Sequence, residues 1–272
     1  MSEPFSVGIA GFGAIGQAVA AAFATQDGIP GLRLAAIGAR DAAKVQATLP
    51  SGLPVPPEIV GITDLAAHAD IVIECAPAVL LPSIAEPVLR AGRIVVVLSC
   101  GALLDAMYLV ELARTHGGRI LVPTGALLGL DAVFAAAQGT IHAVRLTTRK
   151  PPQSLLGAPY LVEHGIELNG LTEKFRVFEG TAREAARGFP ANLNVAAALS
   201  LAGLGPDRTR LEIWADPGVT RNVHTIELDS DAARLSMTIE NIPSANPKTG
   251  RITAQSVIAM LRKMRAPLAV GT

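Results

Sequence analysis

The stretch VGIAGFGAIGQAVAAAF, residues 7–23, decides the fold class of this chain. It opens with a short apolar run, continues with three glycines in the spacing GxGxxG, and ends in an alanine-rich helical segment. The first glycine permits a tight turn, the second lets a pyrophosphate approach the backbone, and the third lets helix and strand pack closely. Because a helix N-terminus attracts phosphate, this context predicts dinucleotide binding; glycines that merely turn the chain are the alternative. The expected contacts in this turn are Gly11, Gly13, Ala14, Ile15 and Gly16.

Strands and helices alternate over the first part of the chain. Residues 70–76, DIVIECA, and 93–99, RIVVVLS, are continuous apolar runs, typical of strands that are buried on both faces of a sheet. Helical patterns separate such runs, and residues 103–118 predict one amphipathic helix that stops at a glycine pair. This order is typical of right-handed βαβ units. We therefore expect residues 1–125 to form an α/β domain with a doubly wound parallel sheet.

The pattern changes near residue 126. Residues 126–139 predict a helix, and the strand-like runs that follow are more polar and alternate in character. Such alternation is typical of an antiparallel or mixed sheet with one covered face. We expect residues 126–251 to form a second α/β domain, and a last helix, about residues 252–266, to return to the first domain.

Composition argues against several classes of function. The chain has 272 residues, 50% of them hydrophobic, and 23 basic residues balance 23 acidic ones. That balance gives no sign of a basic face for nucleic acid or an anionic membrane, and no apolar run reaches the ~18 residues of a membrane span. Cys75 and Cys100 have neither metal spacing nor the pattern of a disulfide framework. Since the N-terminus has no basic leader, we expect a cytoplasmic protein that binds no metal, nucleic acid or membrane.

The end of the second strand bears on the choice of cofactor. An acidic residue usually stands there and holds the adenosine ribose of NAD. Here Ala39 takes that place, and Arg40 and Asp41 follow. Arg40 favours contact with the 2′-phosphate of NADP, whereas a solvated surface arginine is the alternative; Asp41 could cap the next helix instead. The expected cofactor is NAD or NADP.

Three residues are candidates for binding an anion or an amide. Lys150 ends an apolar strand face and precedes a proline that keeps it extended, so it could hold a carboxylate, although such lysines more often reach solvent. Asn192 and Asn194 stand at the start of a helix. They could cap that helix or orient a carboxamide or an anion.

One histidine lies in the middle of a predicted strand. In the run NVHTIELDS, His224 shares a face with Asn222, Ile226 and Leu228, so the imidazole is expected to point inward. An imidazole with a pKa near ~6.5 suits proton transfer at neutral pH. The residues alone leave open whether His224 is catalytic or a packed core histidine.

Motifs along nearly the whole chain resemble those of the L-aspartate dehydrogenases. Several are more specific than the glycine-rich turn, and their order strengthens the resemblance. They are GFGAIG, IECA, LSCGAL, VPTGALLGLDA, TTRKPP, EGTAREAARGFPANLNVAAALSLAGLG, ADPGVTRNVH and ANPKTGRITAQSV. The resemblance implies a Rossmann domain, a second domain for substrate binding and dimerisation, a homodimer, and NAD or NADP as hydride acceptor.

The resemblance also implies roles for individual residues. The histidine of NVH, here His224, is the family's active-site residue. Ala126 and Asn194 correspond to cofactor contacts. We also expect Cys75 and Ala76, in the motif IECA, to contact the cofactor.

The reaction that these expectations imply is oxidative deamination of L-aspartate. Lys150, Asn192 and Asn222 are the candidates for holding its carboxylates, and His224 would take a proton from the amine or from the attacking water. The product, iminoaspartate, could supply NAD biosynthesis. Two alternatives stay open: a reductase of another small acid on the same two-domain plan, and a non-catalytic NAD(P)-binding sensor.

Overall fold

A computed structural model describes residues 3–189, 193–242 and 250–271. The chain divides into two compact units. Residues up to 123 form the first unit together with residues 253–270, and residues 124–252 form the core of the second. Each unit has its own sheet.

The first unit contains a six-stranded sheet in which each pair of neighbouring strands is parallel. Its strands are β1 (Phe5–Ala10), β2 (Leu32–Gly38), β3 (Glu58–Val60), β4 (Ile71–Glu74), β5 (Ile94–Val97) and β6 (Arg119–Leu121). The order β3-β2-β1-β4-β5-β6 reverses direction between β1 and β4. This is the doubly wound arrangement that binds dinucleotides at the carboxyl ends of the strands.

The helices of the first unit follow the predicted alternation. They are α1 (Ala14–Phe23), α2 (Ala42–Thr48), α3 (Leu65–His68), α4 (Leu81–Arg90), α5 (Cys100–Asp105), α6 (Tyr108–His116) and the last helix, α11 (Ile252–Arg265). In α11, Val257 and Leu261 are fully buried in the core that β1, β2 and α1 share. No helix in the described ranges is long and apolar enough to cross a membrane.

The single helix expected over residues 103–118 is wrong. The chain leaves the helical conformation at Ala106, with φ −119° and ψ 35°, and this break separates α5 from α6. In a straight helix Leu109 would lie about 120° or more around the axis from Leu103 and Leu104. All three leucines are buried, so the break lets both helices turn their apolar sides inward.

The second unit contains a five-stranded mixed sheet. Its strands are β7 (Ile141–Lys150), β8 (Phe175–Thr181), β9 (Thr209–Ala215), β10 (Asn222–Ser230) and β11 (Arg234–Asn241). Their order is β11-β10-β7-β9-β8; β7 and β9 run parallel, and the other pairs are antiparallel. Buried and more exposed positions alternate along β7 from Val144 to Lys150. This pattern agrees with the predicted fold class of two α/β domains.

Helices accompany the second sheet, and several of them bury alanines in the core. They are α7 (Leu130–Ala136), α8 (Pro159–Glu163), α9 (Ala182–Gly188) and α10 (Asn194–Ala202). The helix expected over residues 126–139 is shorter at both ends. Gly129 has a φ of 64°, and the Met237 side chain occupies the space that a Cβ on this residue would need. The chain therefore turns at this glycine before α7 begins.

A side chain joins β1 to the start of β4 at the amino ends of the strands. Asp70 Oδ2 accepts hydrogen bonds from the Ser6 amide at 2.9 Å and from the Ser6 hydroxyl at 2.6 Å. Burial raises the pKa of Asp70, but these bonds and the charges of Arg93 and Arg33 outweigh it and hold the pKa below its usual 3.8. Ionised Asp70 therefore stabilises the fold.

We expect Asp70→Asn to destabilise the protein near neutral pH by about 1 kcal/mol, a fall of about 2–4 °C in Tm. Because the pKa is lowered in the folded state, the stabilisation is present above pH 3.8 and is lost as pH falls through the folded pKa. Thermal unfolding at pH 7 and pH 3 measures this effect. The difference in Tm between wild type and variant should shrink at pH 3. As a control, Asp27→Asn, which changes an exposed carboxylate, should have the wild-type Tm at both pH values. An Asp70→Asn difference of equal size at pH 7 and pH 3 would contradict the role of the charge.

Candidate functional site

The glycine-rich turn between β1 and α1 has the shape that a pyrophosphate needs. Gly11 has a φ of 92°, and a Cβ there would lie 2.9 Å from the Cys75 carbonyl oxygen. A Cβ on Gly16 would lie 2.5 Å from the Gly11 carbonyl oxygen, so this glycine allows the close contact between helix and turn. In contrast, no atom lies within 4 Å of a Cβ built on Gly13. The backbone at Gly13 is therefore open to a ligand, while Gly11 and Gly16 shape the turn.

The start of α1 favours an anion. Gly13 is the N-cap residue, and the first turn of the helix, which includes Ala14 and Ile15, contains no acidic residue. The amides at this end therefore keep their attraction for phosphate. These features fit the dinucleotide that the spacing predicts.

Cys75 and Ala76 lie directly beside this turn. Ala76 Cα and N are each 3.0 Å from a Cβ built on Gly11. The structure thus brings Cys75 and Ala76 together with the glycine-rich turn at the carboxyl ends of β1 and β4.

The two residues after β2 have different roles. Asp41 is the N-cap of α2, and its Oδ1 accepts the Lys44 amide at 2.9 Å. Arg40 is exposed. Because Asp41 is engaged in capping, Arg40 remains the predicted contact for the adenosine end of a cofactor.

A second cluster lies on the inner face of the sheet in the other unit. Thr148 and Lys150 belong to β7, and His224 on β10 stands opposite Thr148 in the antiparallel register. Their exposed fractions are 3%, 4% and 2%. His224 Nδ1 and Thr148 Oγ1 form a hydrogen bond of 3.0 Å. Thr148 was not among the predicted site residues; its shared face with Lys150 was the available signal.

Burial changes the titration of this cluster. It lowers the pKa of His224 to about 3, with a smaller contribution from the charge of Lys150. The imidazole is therefore neutral at pH 7, and its pKa lies well below the ordinary value of ~6.5 that suits histidine to proton transfer. Burial also lowers the pKa of Lys150 to about 8, which leaves this side chain mostly protonated at neutral pH.

The predicted asparagines differ in their surroundings. Asn222 is half-buried, two residues before His224 on β10. Asn194 is exposed at the first position of α10, and the N-cap residue is Leu193 rather than an asparagine. Asn192 lies outside the described residues.

Ala126 is held by an asparagine that the sequence reasoning missed. Asn241, with 3% of its surface exposed, donates from Nδ2 to the Ala126 carbonyl at 2.9 Å. This bond fixes the turn before α7. Within the described ranges, no group of three or more His, Cys, Asp or Glu residues could hold a metal ion.

Comparisons with known proteins agree with both units. Residues 11–123 match the family described as "Homoserine dehydrogenase, NAD binding domain", and residues 131–264 match "Aspartate dehydrogenase, C-terminal". A crystal structure of aspartate dehydrogenase from Thermotoga maritima has a similar fold, with a TM-score of 0.74, 24% identity, and 98% of this chain and 99% of that chain covered.

Two relatives are similar over their full length. The chain is 60% identical to the L-aspartate dehydrogenase of Bradyrhizobium diazoefficiens, over 100% of this chain and 95% of the relative. It is also 60% identical to L-aspartate dehydrogenase 3 of Bordetella bronchiseptica, over 99% of this chain and 98% of the relative. The resemblance seen in the motifs is confirmed: this chain belongs to the L-aspartate dehydrogenase family and is an oxidoreductase with an NAD(P) cofactor.

Proposed function

We propose that the chain catalyses the NAD(P)-dependent oxidative deamination of L-aspartate. The α-nitrogen loses a proton and Cα loses a hydride, which gives iminoaspartate; water then converts this imine to oxaloacetate and ammonia. The observation that carries the proposal is the buried cluster of Lys150, Thr148 and His224, because it combines a cation with a neutral imidazole. The names of the full-length relatives support the choice of substrate.

The first unit would hold the cofactor. Gly11, Gly13, Ala14, Ile15 and Gly16 would bind the pyrophosphate, and Cys75 and Ala76 would make further contacts. The family resemblance also assigns cofactor contacts to Ala126 and Asn194, which belong to the second unit. The nicotinamide supplies a hydride acceptor when the cofactor is bound. Exposed Arg40 favours contact with a 2′-phosphate, so we propose that the enzyme accepts NADP as well as NAD.

Lys150 binds a carboxylate of L-aspartate in this proposal. The Lys150 side chain is buried. In such a poorly solvated place, a carboxylate of the substrate would form a strong, charge-assisted hydrogen bond with the ammonium group. Asn192 and Asn222 are the candidates for the remaining carboxylate oxygens.

His224 accepts the proton. Its Nδ1 is engaged with Thr148 Oγ1 at 3.0 Å, which leaves Nε2 as the base if Thr148 accepts from an Nδ1–H group. The pKa of His224 is low in part because Lys150 is charged. A bound dicarboxylate offsets that charge, so substrate binding raises the pKa and makes the imidazole a better base.

The wider setting follows from the family resemblance. We propose that the protein works as a homodimer in the cytoplasm and that iminoaspartate supplies NAD biosynthesis. Size-exclusion chromatography with light scattering tests the first of these points.

The activity can be tested by absorbance at 340 nm with L-aspartate and either NAD⁺ or NADP⁺. We expect reduction with L-aspartate and none with three controls. L-malate lacks the amine from which His224 takes a proton, D-aspartate has the opposite configuration at the carbon that loses the hydride, and L-glutamate is one methylene longer between its carboxylates. Turnover of L-malate instead would support a reductase of another small acid. Binding of NADH without any turnover would support a sensor.

His224→Ala should lower kcat by about 10²–10⁴-fold, the usual contribution of a general base, and leave the Kd of NADH unchanged. Fluorescence titration with NADH confirms that the variant is folded. His142→Ala, which removes an exposed imidazole from the neighbouring strand β7, is the matched control and should match wild type. Near-normal turnover by the His224 variant would disprove its role as base.

Lys150→Met should raise the KM for L-aspartate by at least about tenfold, because a charged hydrogen bond is lost. In wild type, kcat/KM should fall as pH rises through about 8, since the neutral amine no longer attracts a carboxylate. The variant should lack this alkaline fall. Lys174→Met, which removes an exposed lysine, serves as control; an unchanged KM and pH profile in the Lys150 variant would rule out carboxylate binding by Lys150.

A further inference from the structure

The last residue of β4 is a fully buried glutamate. Glu74 has 0% exposed surface, and its carboxylate accepts hydrogen bonds from residues that follow β5. Oε2 accepts hydrogen bonds from the Leu98 amide at 3.1 Å and the Ser99 amide at 2.9 Å, and Oε1 accepts one from the Ser99 hydroxyl at 3.0 Å. The backbone amide of Ala76, two residues further along the chain, also favours the ionised form of this carboxylate, with a smaller effect.

These hydrogen bonds connect the loops after β4 and β5, at the carboxyl ends of the two neighbouring strands. Ser99 occupies the N-cap position of α5, but its hydroxyl donates to Glu74 and makes no cap bond. Ala76, whose amide favours the same charge, has its N and Cα atoms 3.0 Å from a Cβ built on Gly11. Glu74 is therefore linked through one residue to the glycine-rich turn, at the point where the strand order reverses.

A buried carboxylate is a costly way to join two loops. Burial raises the pKa of Glu74 to about 7 even though four donors act against it. Hydrogen-bond donors, rather than a lysine or arginine, are what stabilise its charge. A structural contact alone could be made by uncharged groups of similar size without this desolvation cost.

We propose that ionised Glu74 is a positioning residue for the dinucleotide, because it fixes the loops after β4 and β5 beside the glycine-rich turn. It acts through the backbone of Ala76, Leu98 and Ser99 and does not itself have to touch the cofactor. The inference concerns cofactor binding alone, so it is independent of the proposed substrate.

Protonation disturbs this arrangement in a defined way. An ionised carboxylate accepts at every position, whereas a carboxylic acid carries one O–H donor. Backbone amides cannot accept that hydrogen. The Ser99 hydroxyl can, but it then stops donating and its own hydrogen needs another acceptor, so the ionised form holds the two loops more tightly.

The neighbouring titratable groups stay unchanged near neutral pH. Cys75 and Cys100 interact with the charge of Glu74. Burial and this charge raise the pKa of Cys100 to about 12 and raise that of Cys75 further. Both thiols are therefore protonated throughout the range in which Glu74 titrates.

The test is the Kd of NADH, measured by fluorescence titration between pH 5.5 and pH 8.5 without any L-aspartate. Wild-type affinity should weaken by about tenfold as pH falls through about 7. Glu74→Gln should bind weakly, with the affinity of protonated wild type, at all pH values. Glu111→Gln, which removes an exposed carboxylate from α6, should behave as wild type. Wild-type affinity in the Glu74 variant, or the same pH dependence in it, would overturn the proposal.

Ser99→Ala provides a second, milder variant in case Glu74→Gln does not fold. It removes the Ser99 hydroxyl, which can either donate to Glu74 or accept from it, and leaves the backbone amides, which can only donate. We expect about threefold weaker NADH binding at pH 8 and a midpoint shifted to higher pH, because the ionised carboxylate has lost a partner. Unchanged affinity together with an unchanged midpoint would also overturn the proposal.

Discussion

The antiparallel register of β7 with β10 is the constraint on which the candidate site depends. It places His224 opposite Thr148 and Val223 opposite Arg149. Because side chains alternate along a strand, a slip of one residue would turn His224 to the outer face and bring Val223 inward. The apolar residues of the same inner face, such as Leu146 and Ile226, are fully buried and resist that slip, so core packing maintains the geometry of the polar cluster.

Much of the fold could be predicted because its signals are local. The glycine spacing from Gly11 to Gly16 and the apolar runs identify the doubly wound sheet, and alternation identifies the second sheet. The break at Ala106 was not predicted, because the residues on both sides of it favour a helix. The change of apolar phase between Leu104 and Leu109 shows its significance only when all three leucines are found buried. Tertiary contacts outweighed local preference there.

Prediction of the site was limited in a different way. Alternation placed His224 inward, but the choice between catalysis and packing came from family motifs. The pKa of His224 could not be predicted, because desolvation and a charge from another strand both depend on the assembled sheet. Glu74 did carry a signal in the sequence, as a charged residue inside the apolar run IVIECAP. Its role could be inferred only from the structure, in which the residues after β5 donate hydrogen bonds to its carboxylate.

The two cysteines have a practical consequence for solution studies. They are the only cysteines of the chain, and both have thiol pKa values far above neutral. Because thiolates rather than thiols react with maleimides and disulfides, the buried Cys100 should be slow to modify at pH 7, whereas Cys75 is only half-buried. A cysteine introduced at an exposed position would then accept a spin label or fluorophore selectively once Cys75 is replaced, and Cys100 can stay.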